Sequence, residues 1–270
     1  MTATATTVRS GDAELYVEQH GTGPDVLLLC GLCDTVEVWS AQTEAFSDRY
    51  RLSVIDNRGV GRTRAPVSSI DVPTMAADAA TVIRELGLDR PHVMGFSGGA
   101  IIAQELAIAE PSLVGSLVLN GTFARADELM QRRTDAWFHL AATAPSPEEF
   151  MRSFLASIYS RAAHADGRAD RWAEELLTFE PPMSDEAFAA QLDAFRRHDR
   201  LDDLHTISAP TLVIVGEEDP ICPPSYSRDI AARIPGASLV VIPDQGHQPF
   251  QEMPEEYNAL VTGFWEGLGA

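Results

Sequence analysis

Gly95-Phe96-Ser97-Gly98-Gly99 fits the pattern G-x-S-x-G, and its flanks decide how the chain is read. His92-Val93-Met94 ahead of it has the apolar character of the end of a buried strand. Ala100 to Ala107 behind it reads as a helix. Ser97 is therefore expected on a tight strand-to-helix turn. The glycines relieve the crowding of such a turn. A helix N-terminus beneath the Ser97 hydroxyl concentrates free N–H groups and positive partial charge, which favours an oxyanion. The pentapeptide alone fits an ordinary Gly-rich turn equally well. The strand before and the helix after favour a nucleophile elbow.

Outward from this turn, strands alternate with helices. Residues 6–20 alternate around Gly11-Asp12 and predict an antiparallel hairpin at a sheet edge. Asp25 to Cys30 is continuously apolar after its first residue and predicts a buried strand, left through the loop Gly31-Leu32-Cys33-Asp34. A helix carrying Trp39 and Phe46 follows, then a strand from Arg51 to Asp56. Residues 74–87 have helical periodicity, with Gly87 as a stop. Ser116 to Asn120 is another buried strand. This alternation predicts βαβ units and a mainly parallel sheet.

The rhythm breaks between about Arg125 and Ser208. Amphipathic helical stretches take over, separated by Pro145 and Pro147 and by Pro181-Pro182. Residues 125–207 are read as a helical cap over a core made of residues 1–124 and 208–270. The cap aromatics, Trp137, Phe138 and Phe154 among them, serve mainly as cap core, while some line the cleft beneath. Cys33, Trp137, Phe138 and Phe154 are taken as the substrate pocket. The sheet resumes from Pro210 to Gly216. A helix over 225–234 and a last strand over Ser238 to Ile242 lead to Gly246-His247, and a helix from near Pro254 closes the chain.

Composition bounds the function. The chain has 270 residues, 45% hydrophobic and 22% charged, ordinary values for a globular protein with a sizeable core. A formal net charge of −20 argues against nucleic acid and against anionic membrane surfaces. Three cysteines, Cys30, Cys33 and Cys222, make no disulfide framework. Cys30 and Cys33 have C-x-x-C spacing, but no second ligand pair accompanies them, so no metal site is expected. Met1 to Thr7 carries no basic stretch followed by an apolar one, and no apolar run approaches the length of a membrane span. The expectation is a cytoplasmic monomer or homodimer, without cofactor, acting on a small molecule.

A serine hydroxyl is a poor nucleophile at neutral pH and needs a base, itself oriented by a third group. Loops at the C-terminal ends of parallel strands converge on one edge of the sheet. Ser97, Asp219 and His247 each follow a strand, in the order nucleophile, acid, histidine. His247 is the expected general base, and Asp219 is expected to hold its imidazole, in preference to Glu217, Glu218 or Asp244. The other histidines lie in the cap (His139, His164, His198, His205) or at the starts of core strands (His20, His92). Two backbone N–H groups are needed for the oxyanion; Gly98 and Leu32 are the candidates.

Five blocks in order resemble the α/β-hydrolase superfamily over nearly the whole chain. They are Leu27-Leu28-Leu29-Cys30-Gly31, Asp56 to Thr63, Gly95 to Gly99, Pro210 to Pro223, and Gly246-His247 with Glu252-Met253-Pro254. The resemblance is nearest to capped esterases and 3-oxoadipate enol-lactonases. It implies an eight-stranded, mainly parallel sheet flanked by helices. Cys30 stands in the place of the family's His, a side chain that braces the oxyanion loop. Gly98 stands where many relatives carry Met, which is expected to open space beside Ser97. Ser at 97 disfavours haloalkane dehalogenase and epoxide hydrolase chemistry, which uses a carboxylate nucleophile.

Three functions follow from this reading. The first is hydrolysis of a carboxylic ester or lactone of a small to medium, largely apolar substrate. The second is C–C bond hydrolysis of a diketone-like substrate. The third is non-hydrolytic, a lyase or cyclase, or a receptor retaining the triad. Fold and triad alone do not separate them.

Overall fold

A computed structural model describes residues 3–178, 181 and 183–269. Pro182 of the Pro181-Pro182 break and the first two residues of the N-terminal stretch lie outside the described residues.

The edge hairpin pairs β1 (Thr4–Ser10) with β2 (Ala13–His20). The buried run forms β3 (Asp25–Leu29). Trp39 ends a 3-10 turn, Val36–Trp39, which runs into α1 (Ser40–Phe46), so the helix expected to carry both aromatics divides between two elements. β4 (Arg51–Ile55) and α2 (Val72–Glu85) follow, the helix capped by Asp71, whose side chain accepts from the Thr74 N–H. β5 (His92–Phe96), α3 (Gly98–Ala109) and β6 (Ser116–Asn120) complete the first half.

Between β6 and the next strand lie α4 (Glu128–Thr143), α5 (Pro147–Leu155), α6 (Arg161–Ala165), α7 (Arg168–Leu176) and α8 (Asp185–Arg196). Ser or Asp N-caps start four of these five helices, and α7 starts from Gly167 in the left-handed region. β7 (Thr211–Gly216), α9 (Pro224–Ala231), β8 (Ser238–Ile242), the short α10 (Pro249–Glu252) and α11 (Pro254–Gly267) end the chain.

The eight strands form one sheet in the order β1-β2-β4-β3-β5-β6-β7-β8. Only β2 runs against its neighbours; from β4 to β8 all pairing is parallel. Because side chains alternate across a strand, each of β3 to β7 feeds two cores. Leu27, Leu29, Val93, Leu117 and Val213 face α2, α3 and the helical insertion. Val26, Leu28, Val54, Met94 and Ile214 face Trp39, Phe46, Tyr257 and Trp265 on the other side. Both faces being covered there explains why β3 to β7 read as apolar runs, while the edge hairpin β1–β2 alternates.

The insertion is stitched at its feet. Arg200 N donates to the Ala124 carbonyl at 2.8 Å, and Arg125 Nε meets Asp199 Oδ1 at 2.8 Å. Gln191 Nε2, on α8, donates to the Arg58 carbonyl at 2.6 Å. No helix among the described residues is long and apolar enough to cross a membrane.

Candidate active site

Ser97 leaves β5 with φ 51° and ψ −116°, a conformation that costs a non-glycine residue about 1–3 kcal/mol. The surrounding bonds hold it there. Ser97 N donates to the Asn120 carbonyl at 2.9 Å, and the Ser97 carbonyl accepts from Ala100 N and Ile101 N at 3.0 and 3.2 Å. The flanking glycines answer to close backbone approach. A Cβ on Gly95 would sit 2.5 Å from the Gly99 carbonyl oxygen, and one on Gly99 would collide with the Leu29 carbonyl oxygen.

His247 and Asp219 meet as the strand order predicts. His247 Nδ1 lies 2.7 Å from Asp219 Oδ2, and both residues are buried. Asp219 Oδ1 accepts from Ile221 N and Cys222 N, each at 2.8 Å, so both carboxylate oxygens are engaged. With Nδ1–H donating to the carboxylate, Nε2 is left as the basic nitrogen. His247 N donates to the Ile158 carbonyl at 2.7 Å, and the Phe96 ring lies against the imidazole at 4.8 Å between centroids. The rival carboxylates Glu217, Glu218 and Asp244 are exposed.

Ser97 and His247 line one cavity of about 570 Å³. Leu32 and Gly98 line it too, and among the described residues neither N–H has a protein acceptor. The loop that carries Leu32 holds without the family's histidine. The Cys30 thiol donates to the Thr35 carbonyl at 3.5 Å, and Asn57 Nδ2 donates to the Cys30 carbonyl at 2.8 Å. Asp56 Oδ1 accepts from Val36 N at 2.8 Å. All three cysteines are free, and burial pushes the Cys30, Cys33 and Cys222 thiols up, away from reactive thiolate. Among the described residues no cluster of His, Cys, Asp or Glu has metal-binding geometry.

Of the expected pocket residues, Cys33, Trp137 and Phe154 line the cavity and Phe138 does not. One residue further round α4 than Trp137, Phe138 points elsewhere and lies beneath the Arg196 guanidinium at 5.8 Å. The space expected beside Gly98 is also filled. A Cβ there would lie 2.5 Å from Cε2 and Cζ of Phe195, so an aromatic of α8 occupies the place of a side chain at 98.

Three residues of this site carry no chemical signature in the sequence. Gly121, at φ 54°, directs its missing Cβ toward His247 Nδ1 at 3.1 Å and Asp219 Oδ2 at 3.3 Å. Its place directly after β6, at the same sheet edge, was the available signal. Asp34 is a buried carboxyl in the cavity lining. Phe195 was visible only as one more apolar position of an amphipathic helix.

A strained serine on a strand-to-helix turn shares this cavity with a carboxylate-bound histidine and with two backbone N–H groups that have no protein acceptor among the described residues. The sequence pattern of the α/β hydrolase fold matches residues 24–254, and the chain belongs to that family. The chain is 32% identical over 260 residues to BpoC of Mycobacterium tuberculosis, provisionally named a non-heme bromoperoxidase, covering 95% of this chain and 99% of that one. It is 30% identical over 255 residues to RutD of Azorhizobium caulinodans, provisionally named a carbamate hydrolase, covering 94% and 96%. A solved thermophilic esterase from Thermogutta terrifontis superposes with a TM-score of 0.85 at 27% identity, covering 100% of each chain.

Proposed function

We propose that this protein is a serine hydrolase of carboxylic esters or lactones, working through an acyl-enzyme on Ser97. The observation that carries the proposal is the strained Ser97 sharing a cavity with the His247–Asp219 pair. Ser97 Oγ attacks the carbonyl carbon as His247 Nε2 takes its proton. The resulting oxyanion is met by the N–H groups of Leu32 and Gly98. The tetrahedral intermediate then expels the leaving alkoxide, which takes that proton from His247. Water repeats the sequence on the acyl-enzyme and frees the acid. Asp219 keeps the imidazole in its reactive tautomer and stabilises the imidazolium. Removing one oxyanion donor typically costs about 2.7–4 kcal/mol of barrier.

In this reading residues 1–124 and 208–270 are the catalytic core and 125–207 the cap. Ile101, Met130, Trp137, Phe154 and Phe188 contribute to a mostly apolar cavity wall, which favours a small to medium, largely apolar substrate. The names of the esterase and carbamate-hydrolase relatives support acyl transfer and put carbamates on the substrate panel beside esters and lactones.

Mass spectrometry of the intact protein after treatment with a fluorophosphonate tests the proposal. One adduct on the wild type and none on Ser97→Ala is the expected result. An unlabelled, folded wild type would overturn it.

A further inference from the structure

Seven carboxyl side chains are buried among the described residues: Asp25, Asp34, Asp56, Asp78, Glu105, Asp219 and Glu252. Six have partners. Asp25 meets Arg51, Asp56 meets Arg62, Asp78 meets Arg58, and Glu105 meets Arg200. Asp219 meets His247, and Glu252 accepts from Ser160 N at 2.9 Å. Asp34 is the exception. It is 6% exposed, and no Lys, Arg or His among the described residues reaches it.

Its place is built rather than incidental. Cys33 takes φ 68°, a left-handed conformation uncommon for a non-glycine residue, and turns the chain back so that Asp34 N meets the Gly31 carbonyl at 3.4 Å. The carboxyl folds onto the loop that carries Leu32. A Cβ on Gly31 would lie 2.7 Å from Asp34 Oδ2 and 3.0 Å from the Phe96 ring. The Gly31 backbone N–H is the one group that favours the charged form, and burial pushes the carboxyl up to about 7. Tyr159 of the insertion and the thiols of Cys30 and Cys33 are its titratable neighbours, and none is a cation. A buried carboxyl with a single backbone donor and no cation is costly, and its remaining lone pairs, facing a cavity, are available to a ligand.

We propose that Asp34 is a specificity residue that accepts a hydrogen bond from a hydroxyl, amide N–H or ammonium group carried close to the scissile carbonyl. This rests on the ester or lactone reading and narrows it. The substrate is apolar along most of its length, carries a donor near the reacting carbon, and has no carboxylate there. The charge in the lining agrees. Glu148 and Asp185 join Asp34, while Arg196, the one Lys or Arg of the lining among the described residues, is already held by Asp135 at 3.0 Å. A substrate carboxylate would find no free Lys or Arg among the described lining residues.

The test compares ethyl 3-hydroxyhexanoate, ethyl 2-hydroxyhexanoate and ethyl hexanoate at pH 8, where Asp34 is charged, on wild type, Asp34→Leu and Asp34→Asn. The readout is the ratio of kcat/KM between hydroxylated and plain esters. Wild type is expected to favour one hydroxyester by about tenfold or more. Asp34→Leu should bring that ratio near one, and Asp34→Asn, whose amide oxygen still accepts, should fall between. An equal ratio in wild type and both variants overturns the proposal. The same three esters are titrated into Ser97→Ala, with and without Asp34→Leu, by following fluorescence of Trp137 in the cavity wall. A hydroxyl preference in binding that vanishes with Asp34 supports the assignment even if no ester is turned over, an outcome that would instead overturn the hydrolase reading. Equal binding of the three esters by both proteins overturns the Asp34 assignment.

Discussion

Replacing Asp34 by Asn should change how stability depends on pH. In the folded protein its carboxyl titrates at about 7; the ordinary value is 3.8. The folded state therefore holds a proton that the unfolded chain releases across that interval. The stability linked to it is fully present below pH 3.8, declines as pH rises, and is lost above about 7. A separation of about three pH units is worth at most ~4 kcal/mol, and water in the cavity lowers that bound. Between pH 5 and pH 8 the linkage relation assigns roughly 2.5 kcal/mol of it. The amide of Asp34→Asn does not titrate, so the variant keeps the stability that the wild type loses. Urea unfolding of both proteins at pH 5, 6, 7 and 8 measures this. The quantity to follow is the stability difference between the two, because every other titrating group cancels in it. It should move in favour of Asp34→Asn by about 1–2.5 kcal/mol from pH 5 to pH 8. A difference that stays flat across this range would mean that Asp34 is solvated or paired, and would remove the electrostatic basis for its assignment.

The contact between Gly98 and Phe195 predicts a coupled pair. Gly98→Ala should destabilise by about 1–3 kcal/mol through overpacking and depress ester turnover, and Phe195→Ala in the same chain should relieve much of both, giving a clearly non-additive double-mutant cycle by thermal melts and kcat/KM. Glu252→Ala leaves the Ser160 N–H and hydroxyl without their acceptor, so unfolding midpoints should report a loss of about 1–3 kcal/mol. Turnover should fall with it, because the neighbouring Ile158 carbonyl holds His247 N. On the proposed mechanism Ser97→Ala and His247→Ala should each remove most of the activity, and the double variant should lose little more; additive losses in kcat would contradict a shared role.

The sheet was legible in the sequence because both of its faces are covered. Strands such as Leu27 to Leu29 and Val213 to Val215 read as unbroken apolar runs, and the helices between them announce themselves by period and by caps. The Asp219–His247 pair was legible because chain order and strand-end position fix it without any side-chain detail. What was hidden depends on contacts across the cavity. Nothing in the local pattern around Phe195 says that its ring stands where a side chain at 98 would project, because that meeting joins elements nearly a hundred residues apart. Phe138 and Trp137 are equally aromatic and adjacent, and only the rotation of α4 sends one to the cavity and the other under Arg196. Asp34 reads as an ordinary loop aspartate until the fold buries it and supplies every other buried carboxyl among the described residues with a side-chain partner.

The same long-range contacts constrain how substrate reaches Ser97. The insertion fastens both loops of the acid–histidine pair. Its Ile158 carbonyl holds His247 N at 2.7 Å, Arg133 of α4 donates to the Ile221 carbonyl at 2.7 Å, and Asp127, the N-cap of α4, accepts from the Tyr226 hydroxyl at 2.5 Å. Ile221 N in turn donates to Asp219. Lifting the whole insertion would break the bonds that place His247 and Asp219 in the act of admitting the molecule they are to act on. An opening confined to α7 and the start of α8, which supply Leu176 and Asp185 to the cavity wall, involves none of those bonds, whereas α5 ends at Leu155, whose carbonyl accepts from Ile158 N. A disulfide or crosslink that ties α4 to the β7–α9 loop should therefore leave turnover near its original rate, whereas one that ties α5 to α8 across the cavity should slow it, and the reverse pattern would place the opening at α4.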